Sequence, residues 1–192
     1  MLLKFLKKIA KNDIIRRYVV MNSFDGGLTI LGIVLVSFFA GVTDPHYIIL
    51  PSVGAGIAMC ISGMWGAYAA EKAELTRSRK EMEKHMLRKL HNTIMVRKKE
   101  TMAIIIAIVD GVSPMLVAFL IISPFFFVYT DMLSIAYAYY TSIAIVAIIL
   151  FLLGVFTGKI SQEPVLKHGV IMLLAGLVIA VIFYVMMLAG LV

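Results

Sequence analysis

Two Asp-Gly pairs stand at corresponding points of two apolar stretches of the chain. The first is Asp25-Gly26, within Asn22-Ser23-Phe24-Asp25-Gly26-Gly27-Leu28-Thr29, and the second is Asp110-Gly111, followed closely by Pro114. A carboxylate in an apolar helix is costly to place in hydrocarbon, so it is expected to face a polar cavity, a partner or a bound cation. The two pairs therefore indicate the handling of cations or protons inside a membrane.

The surroundings of the two aspartates favour different interpretations. Asp110 lies eight residues after Met102, which on a helix is about 12 Å. Pro114 cannot donate to the carbonyl of Asp110, which predicts a kinked or opened helix, and a freed carbonyl beside a carboxylate suits a cation. Asp25 is shallower, and its alternative role is an N-cap that satisfies the first N–H groups of a helix.

The Asp-Gly pairs belong to a longer internal repeat. Each apolar stretch ends at a Thr-Asp pair and is followed by a second apolar segment that contains a glycine. The two aspartates are 85 residues apart, the Thr-Asp pairs 87 and the glycines 88, these being Thr43-Asp44 and Thr130-Asp131, and Gly66 and Gly154. This order indicates duplication of a two-segment unit, a common construction among transporters.

Composition identifies the class of protein. With 61% hydrophobic residues and a mean hydropathy of +0.98, the chain is too apolar for a soluble domain. We predict an all-α integral membrane protein with two parallel two-helix repeats and a fifth helix, because five segments are long enough to cross about 30 Å of hydrocarbon. These segments are Phe24–Val42, Tyr47–Ala70, Met102–Val128, Met132–Thr157 and Val170–Val192.

The basic residues predict the orientation. All 18 Lys and Arg fall in residues 1–20, in the linker Glu71–Thr101 or in the loop Gly158–Gly169. The positive-inside rule then places the N-terminus in the cytoplasm and the C-terminus outside, in what we expect to be the cell membrane of a prokaryote. The basic excess thus reports orientation, and no nucleic-acid partner is predicted.

Two domains are expected. Residues 1–20 interleave basic and apolar side chains, which predicts an amphipathic helix at the membrane surface rather than a signal peptide. Residues 21–192 form the membrane domain, and they include the cytoplasmic linker 71–101. The linker lacks Gly and Pro, so it is predicted to be helical and to extend the second span, with one apolar face formed by Met82, Met86, Leu90 and Ile94.

The linker also carries candidate metal ligands. Glu81 and His85 are one helical turn apart and so are placed to share a metal ion, as are Glu71 and Glu74. The alternative is a solvated face on which Glu81 forms ion pairs with its neighbours. The 13 methionines likewise have two interpretations, as apolar packing residues or as soft metal ligands.

The second span has small residues every four positions, which allows another helix to approach closely, either inside the bundle or across a dimer. This stripe is Gly54, Ala58, Ser62, Gly66 and Ala70. The single Cys60 excludes a disulfide framework. No nucleophile–base set, metalloprotease motif or phosphate-binding loop is present, so neither an enzyme nor a cofactor is predicted.

Three stretches resemble the vacuolar iron transporter family of five-helix, homodimeric divalent-metal transporters, in a short form that lacks most of the cytoplasmic metal-binding domain. Ser23–Thr29 resembles the start of the family's first helix, and Ile61–Glu74 the end of its second. Phe151–Gly154 through Lys167–Gly169, with Met172–Gly176, resembles the join of the last two helices.

The resemblance implies proton-coupled export of Fe²⁺ or Mn²⁺ from the cytosol, with Asp25 on the translocation path. The family's second-helix methionine falls at Gly63, and Met64 stands one residue later, which on a helix is a rotation of about 100°. The family's glutamate on that helix falls at Ala55, and Asp110 is a candidate to replace the lost carboxylate.

The cytoplasmic ligands that the resemblance implies are Glu71, Glu74 and Glu81, while further positions read as His85 and Arg88. With these residues we expect a collecting site for metal on the linker. The soft ligand within the membrane is expected to be Met64 or Met59.

The leading hypothesis is a homodimeric transporter of a divalent metal ion, with Asp25 and Asp110 as path carboxylates. The alternative is a membrane adaptor or lipid-interacting protein whose basic N-terminus and linker bind anionic headgroups of the bilayer. A membrane enzyme is the third possibility, and nothing in the sequence supplies its catalytic residues.

Overall fold

The computed structural model describes residues 13–87 and 94–190, and within them it consists of five α-helices with no strand. Each helix contains an apolar window long enough to cross a membrane, which confirms the prediction of an all-α protein with five spans. The helices are α1 (Asp13–Phe39), α2 (His46–Met86), α3 (Ile94–Val128), α4 (Ile135–Ser161) and α5 (Val165–Leu188).

Helix α1 begins earlier than the first predicted span. It runs without a break from Asp13, so residues 13–20 are continuous with the helix that contains the first apolar span. The reason is tertiary packing, because Ile15 is buried against Ala67 of α2 and Ile106 of α3. The preceding residues 1–12 of the expected amphipathic helix lie outside the described part of the chain.

Helix α2 is the longest element, with 41 residues, or about 60 Å. Its last turns extend beyond the apolar span, as predicted, and it ends where Leu87 adopts a left-handed backbone conformation with φ of 50°. On the predicted apolar face of this extension, Met82 is partly buried and Met86 is exposed. Of the other two positions of that face, Leu90 lies outside the described residues, and Ile94 is the first residue of α3.

Helix α1 is the centre of the bundle, since it contacts each of the other four helices. Helices α2 and α3 pack on each other as one antiparallel hairpin, and α4 and α5 pack as another. Among the described residues, α2 contacts neither α4 nor α5. The two hairpins are therefore held together through α1 and through the contact between α3 and α4.

The Asp-Gly motifs lie where α1, α2 and α3 approach most closely. A Cβ added to Gly26 would lie 2.8 Å from the Cα of Pro114, and one added to Gly111 would lie 2.3 Å from the carbonyl oxygen of Cys60. Only glycine fits at both positions. In a bilayer, where lipid tails are as apolar as leucine, such close backbone packing is a main source of helix association.

A second packing centre lies toward the opposite end of the bundle. Ile30, Val34, Ile121 and Phe125 are completely buried there. The Tyr139 hydroxyl donates to the carbonyl of Val42 at 2.9 Å, and the Ser142 hydroxyl donates to the carbonyl of Ile121 at 2.7 Å. These bonds join α4 to the end of α1 and to α3, and they satisfy polar groups that hydrocarbon could not.

The small-residue stripe of α2 does not pack inside the bundle. Gly54, Ala58, Ser62, Gly66 and Ala70 are all exposed, and a Cβ added to either Gly54 or Gly66 would meet no atom within 4 Å. The face of α2 that packs on α3 is instead formed by Gly56, Gly63 and Ala67. The predicted packing inside the bundle is therefore wrong for this stripe, and its packing across a dimer stays a prediction.

The turn between α4 and α5 is closed by polar contacts. Gln162 has a left-handed backbone with φ of 57°, and the Glu163 carboxylate lies 2.8 Å from Nε2 of His168. This hydrogen bond, assisted by the positive charges of Lys167 and His168, lowers the pKa of the Glu163 carboxyl from its ordinary value.

Replacing Gly26 by Ala should destabilise the protein by about 1–3 kcal/mol, because the new methyl group would overlap the Pro114 backbone. The neighbouring Gly27→Ala change is the matched control, since its Cβ would lie 3.6 Å from Leu150 Cδ2, an ordinary contact, and alanine favours a helix by up to about 1 kcal/mol. Thermal unfolding in detergent, followed by size-exclusion chromatography, measures both. Equal stabilities would contradict the proposed close crossing of α1 and α3.

The Glu163→Gln change should lower the melting temperature at neutral pH, and the difference from wild type should vanish on acidification. A carboxyl whose pKa is lower in the folded state stabilises that state above its unfolded pKa, and this contribution is lost as the pH falls through the folded value. The two melting curves should therefore converge below pH 4.5, the ordinary pKa of this carboxyl. A difference that persists in acid would show that the contact does not depend on the charge of Glu163.

Candidate functional site

Asp110 occupies a buried position between three helices. Its side chain is 5% exposed, and its Oδ1 accepts a hydrogen bond from the side-chain amide of Asn22 on α1. The same amide donates to the Tyr18 carbonyl at 2.9 Å. On the α2 side, a Cβ added to Gly63 would lie 3.0 Å from Asp110 Oδ2. The carboxylate is thus enclosed by α1, α2 and α3.

Asn22 is a residue of this site to which the sequence analysis assigned no role. It belongs to the first Asp-Gly motif, three residues before Asp25, but it contacts the aspartate of the second motif, 88 residues away. The available signal was a polar amide in an apolar helix, about one turn before the Asp25-Gly26 pair of the internal repeat. Its partner only becomes evident from the crossing of α1 and α3.

Helix α3 continues through Pro114, so the predicted opening of the helix does not occur, while a kink there stays a prediction. The proline ring is accommodated because it faces Gly26 of α1, which has no side chain. The missing N–H still deprives the Asp110 carbonyl of its usual helical donor. Beside it, the Ser113 hydroxyl donates to the carbonyl of Val109 at 2.5 Å.

Two sulfur atoms lie next to this carboxylate-bearing turn. The side chain of Met64 packs against Gly111, and Cys60 Sγ is 3.8 Å from Met64 Sδ. Met64 therefore faces α3 and groups with the Asp110 turn. The other candidate methionine, Met59, is partly buried and packs against the main apolar core.

Asp25, in contrast to Asp110, is exposed on the outer surface of α1. It lies in the middle of α1, twelve residues after Asp13, so the N-cap explanation is excluded. Along the same exposed face, one turn further on, Thr29 opens into a groove of about 630 Å³ between α1, the start of α2 and α5. That groove is lined by apolar residues and by Tyr47 and Pro51 of α2.

The two aspartates lie at a similar depth, so the expectation that Asp25 is shallower is wrong. The residue after Asp25, Gly26, contacts Pro114, and Asn22 contacts Asp110, so both carboxylates belong to the same level of the bundle. However, Asp25 faces outward from the bundle, while Asp110 faces the interior of the bundle. One protomer therefore presents two separate carboxylates at this level.

The candidate ligands on the extension of α2 do not converge. Glu74, Glu81 and His85 are exposed, and Glu81 pairs with Arg77 at 3.1 Å rather than with His85. Glu71 is partly buried and lies close to the Tyr18 hydroxyl of α1. Over residues 13–87 and 94–190, no group of three or more His, Cys, Asp or Glu side chains is placed to hold a metal ion.

Replacing Asn22 by Ala should destabilise the protein by about 1–3 kcal/mol, because it leaves a buried carboxylate without its donor. In an Asp110→Leu background the same Asn22→Ala change should cost much less. A double-mutant cycle on detergent unfolding free energies measures this coupling. Strictly additive effects would show that the two side chains do not interact.

Comparison with known proteins identifies the family. The VIT family model matches residues 71–188, more than half of the chain. An uncharacterized protein of Methanocaldococcus jannaschii is 37% identical over 171 residues, which cover 88% of this chain and 86% of that relative. No solved structure matches significantly. The chain is thus a membrane protein of the VIT family, a membership that points in general to the transport of metal ions.

Proposed function

We propose that the protein moves a divalent metal ion, Fe²⁺ or Mn²⁺, out of the cytosol in exchange for protons. The observation that carries the proposal is the exposed carboxylate of Asp25 halfway along a membrane-spanning helix. A charge at that depth is too costly to face lipid, so it requires water, an ion or a partner. Family membership favours the ion.

A second copy of the chain is the partner that would cover Asp25. Tyr47 and Pro51 of α2 line the groove on the exposed face of α1, and further turns along the same side of α2 bring the exposed Ala58 and Ser62. Small residues permit close helix packing across a two-fold axis. Two symmetry-related copies of Asp25 would then supply oxygen ligands to one cation path.

Asp110 is proposed as the proton-handling carboxylate within each protomer. It is buried and accepts a hydrogen bond from a neutral donor, Asn22. It would take the place of the family's second-helix glutamate, whose position is occupied here by Ala55. Asn22 also contacts the backbone of Tyr18, whose hydroxyl lies near the carboxylate of Glu71. This series of polar groups leads from the basic end of the bundle toward Asp110.

The metal is proposed to enter at that basic end, from the cytoplasm. The described Lys and Arg residues lie where α1 begins, where α2 ends and α3 begins, and at the turn between α4 and α5. Contacts such as that of Ile15 with Ala67 and Ile106 place these segments at one end of the bundle. The positive-inside rule assigns such an end to the cytoplasm.

Purified protein in proteoliposomes tests the proposal through Fe²⁺ and Mn²⁺ flux, measured with and without an imposed pH gradient. Asp25→Asn should reduce flux to the level of protein-free vesicles, because it removes the charge on the path. Asp110→Asn should leave metal binding intact and remove the dependence of flux on the gradient. Glu163→Gln, an exposed carboxylate change away from both sites, is the control and should leave flux unchanged.

Flux that neither aspartate substitution lowers would refute the assignment of the path. If a well-folded wild-type dimer shows no flux of either metal in either gradient direction, transport itself is refuted. The adaptor or lipid-interacting role would then become the leading function.

A further inference from the structure

A groove of about 380 Å³ lies between the last turns of α2 and the first turns of α3. Neither Asp25 nor Asp110 lines this groove. One side is formed by Tyr68, Lys72 and Arg79 of α2, and the other by Lys99, Ala103 and Ile104 of α3.

The groove crosses the boundary between the apolar and charged parts of the hairpin. Ala103 and Ile104 lie at the start of the apolar stretch of α3, and Tyr68 lies near the end of the apolar stretch of α2. The first basic residues outside these two apolar stretches are Lys72, four residues after Tyr68, and Lys99, four residues before Ala103. In a bilayer this is the level of the lipid phosphates, where aromatic and basic side chains collect.

The charges of the groove are arranged to receive an anion. The Lys72 ammonium lies over the Tyr68 ring, 5.4 Å from its centroid. Nε of Arg79 is buried and has no hydrogen-bond partner among the described residues, although it lies 3.6 Å from a carboxylate oxygen of Glu83. Against the three basic side chains, the lining contains one carboxylate, that of Glu100.

An exposed apolar stripe continues from the groove along α3 into the membrane. Ile104, which is 49% exposed, is followed at successive helical turns by Ile108, Val112 and Leu116, which are 46%, 37% and 58% exposed in that order. An acyl chain lying on this stripe would place its headgroup between Lys72 and Lys99. A free phosphate would satisfy the charges but leave the apolar wall uncovered.

We propose that this groove binds the phosphate headgroup of an anionic phospholipid, with one acyl chain along the exposed stripe of α3. Lys72 and Lys99 contact the phosphate, and the Arg79 guanidinium contributes a further donor. Basic pockets between membrane helices recognise anionic headgroups in this way.

Trp65, the single tryptophan of the chain, provides the measurement. It is 78% exposed and lies one turn before Tyr68 on α2. In phosphatidylcholine vesicles, a minor fraction of brominated phosphatidylglycerol should quench Trp65 fluorescence more strongly than the same fraction of brominated phosphatidylcholine. Increasing salt should weaken this preference.

The Lys72→Gln/Lys99→Gln double variant should reduce the preference for phosphatidylglycerol about 25-fold, or about fivefold for each lysine. Lys80→Gln/Lys98→Gln is the matched control, because it removes the same charge from neighbouring positions that do not line the groove. The control and the charge-preserving Lys72→Arg/Lys99→Arg variant should both keep most of the preference.

Three results would overturn the proposal. Wild type without a preference for phosphatidylglycerol would show that the groove has no lipid selectivity. Equal losses in the groove and control variants would indicate general surface attraction. Loss of the preference on adding inorganic phosphate, compared with chloride at the same ionic strength, would show that the groove takes the free anion instead. The wild-type comparisons need no variant, so they stand even if a lysine substitution prevents folding.

Discussion

The structure depends on the crossing at which Asn22 of α1 donates to Asp110 of α3. Hydrocarbon offers no alternative partner to a buried carboxylate, so this hydrogen bond and the packing that surrounds it must form together. Glycines at positions 26, 63 and 111 allow three helices to close around the pair. Because α1 contacts all the other helices, the geometry of this crossing also positions the rest of the bundle.

The same crossing separates the two aspartates of the internal repeat. Both lie at one depth, yet Asp110 is enclosed while Asp25 is exposed. A duplicated unit therefore presents one carboxylate to the interior of the protomer and one to its surface. This asymmetry suits a protein in which the surface carboxylate handles the ion and the interior one handles a proton, which is the division of roles that we propose.

The hairpin of α2 and α3 has a different role at its charged end. Its helices separate enough to leave a groove between Lys72 and Lys99. The candidate metal ligands on its outer surface remain dispersed, with Glu81 engaged by Arg77. The groove at the basic end is the part of the protomer to which we assign anion binding.

The sequence alone determined the five spans, their helical state and the concentration of basic residues at one end, because hydropathy and charge act on segments of chain without reference to their neighbours. It also determined the family, through the residues around Asp25 and along α2, α4 and α5. Tertiary structure alone decided which face of α2 packs on α3, that α1 begins at Asp13 and that Asn22 is the partner of Asp110. These features depend on contacts between residues far apart in the chain, and a helix of nearly uniform hydropathy does not show which of its faces will meet a neighbour.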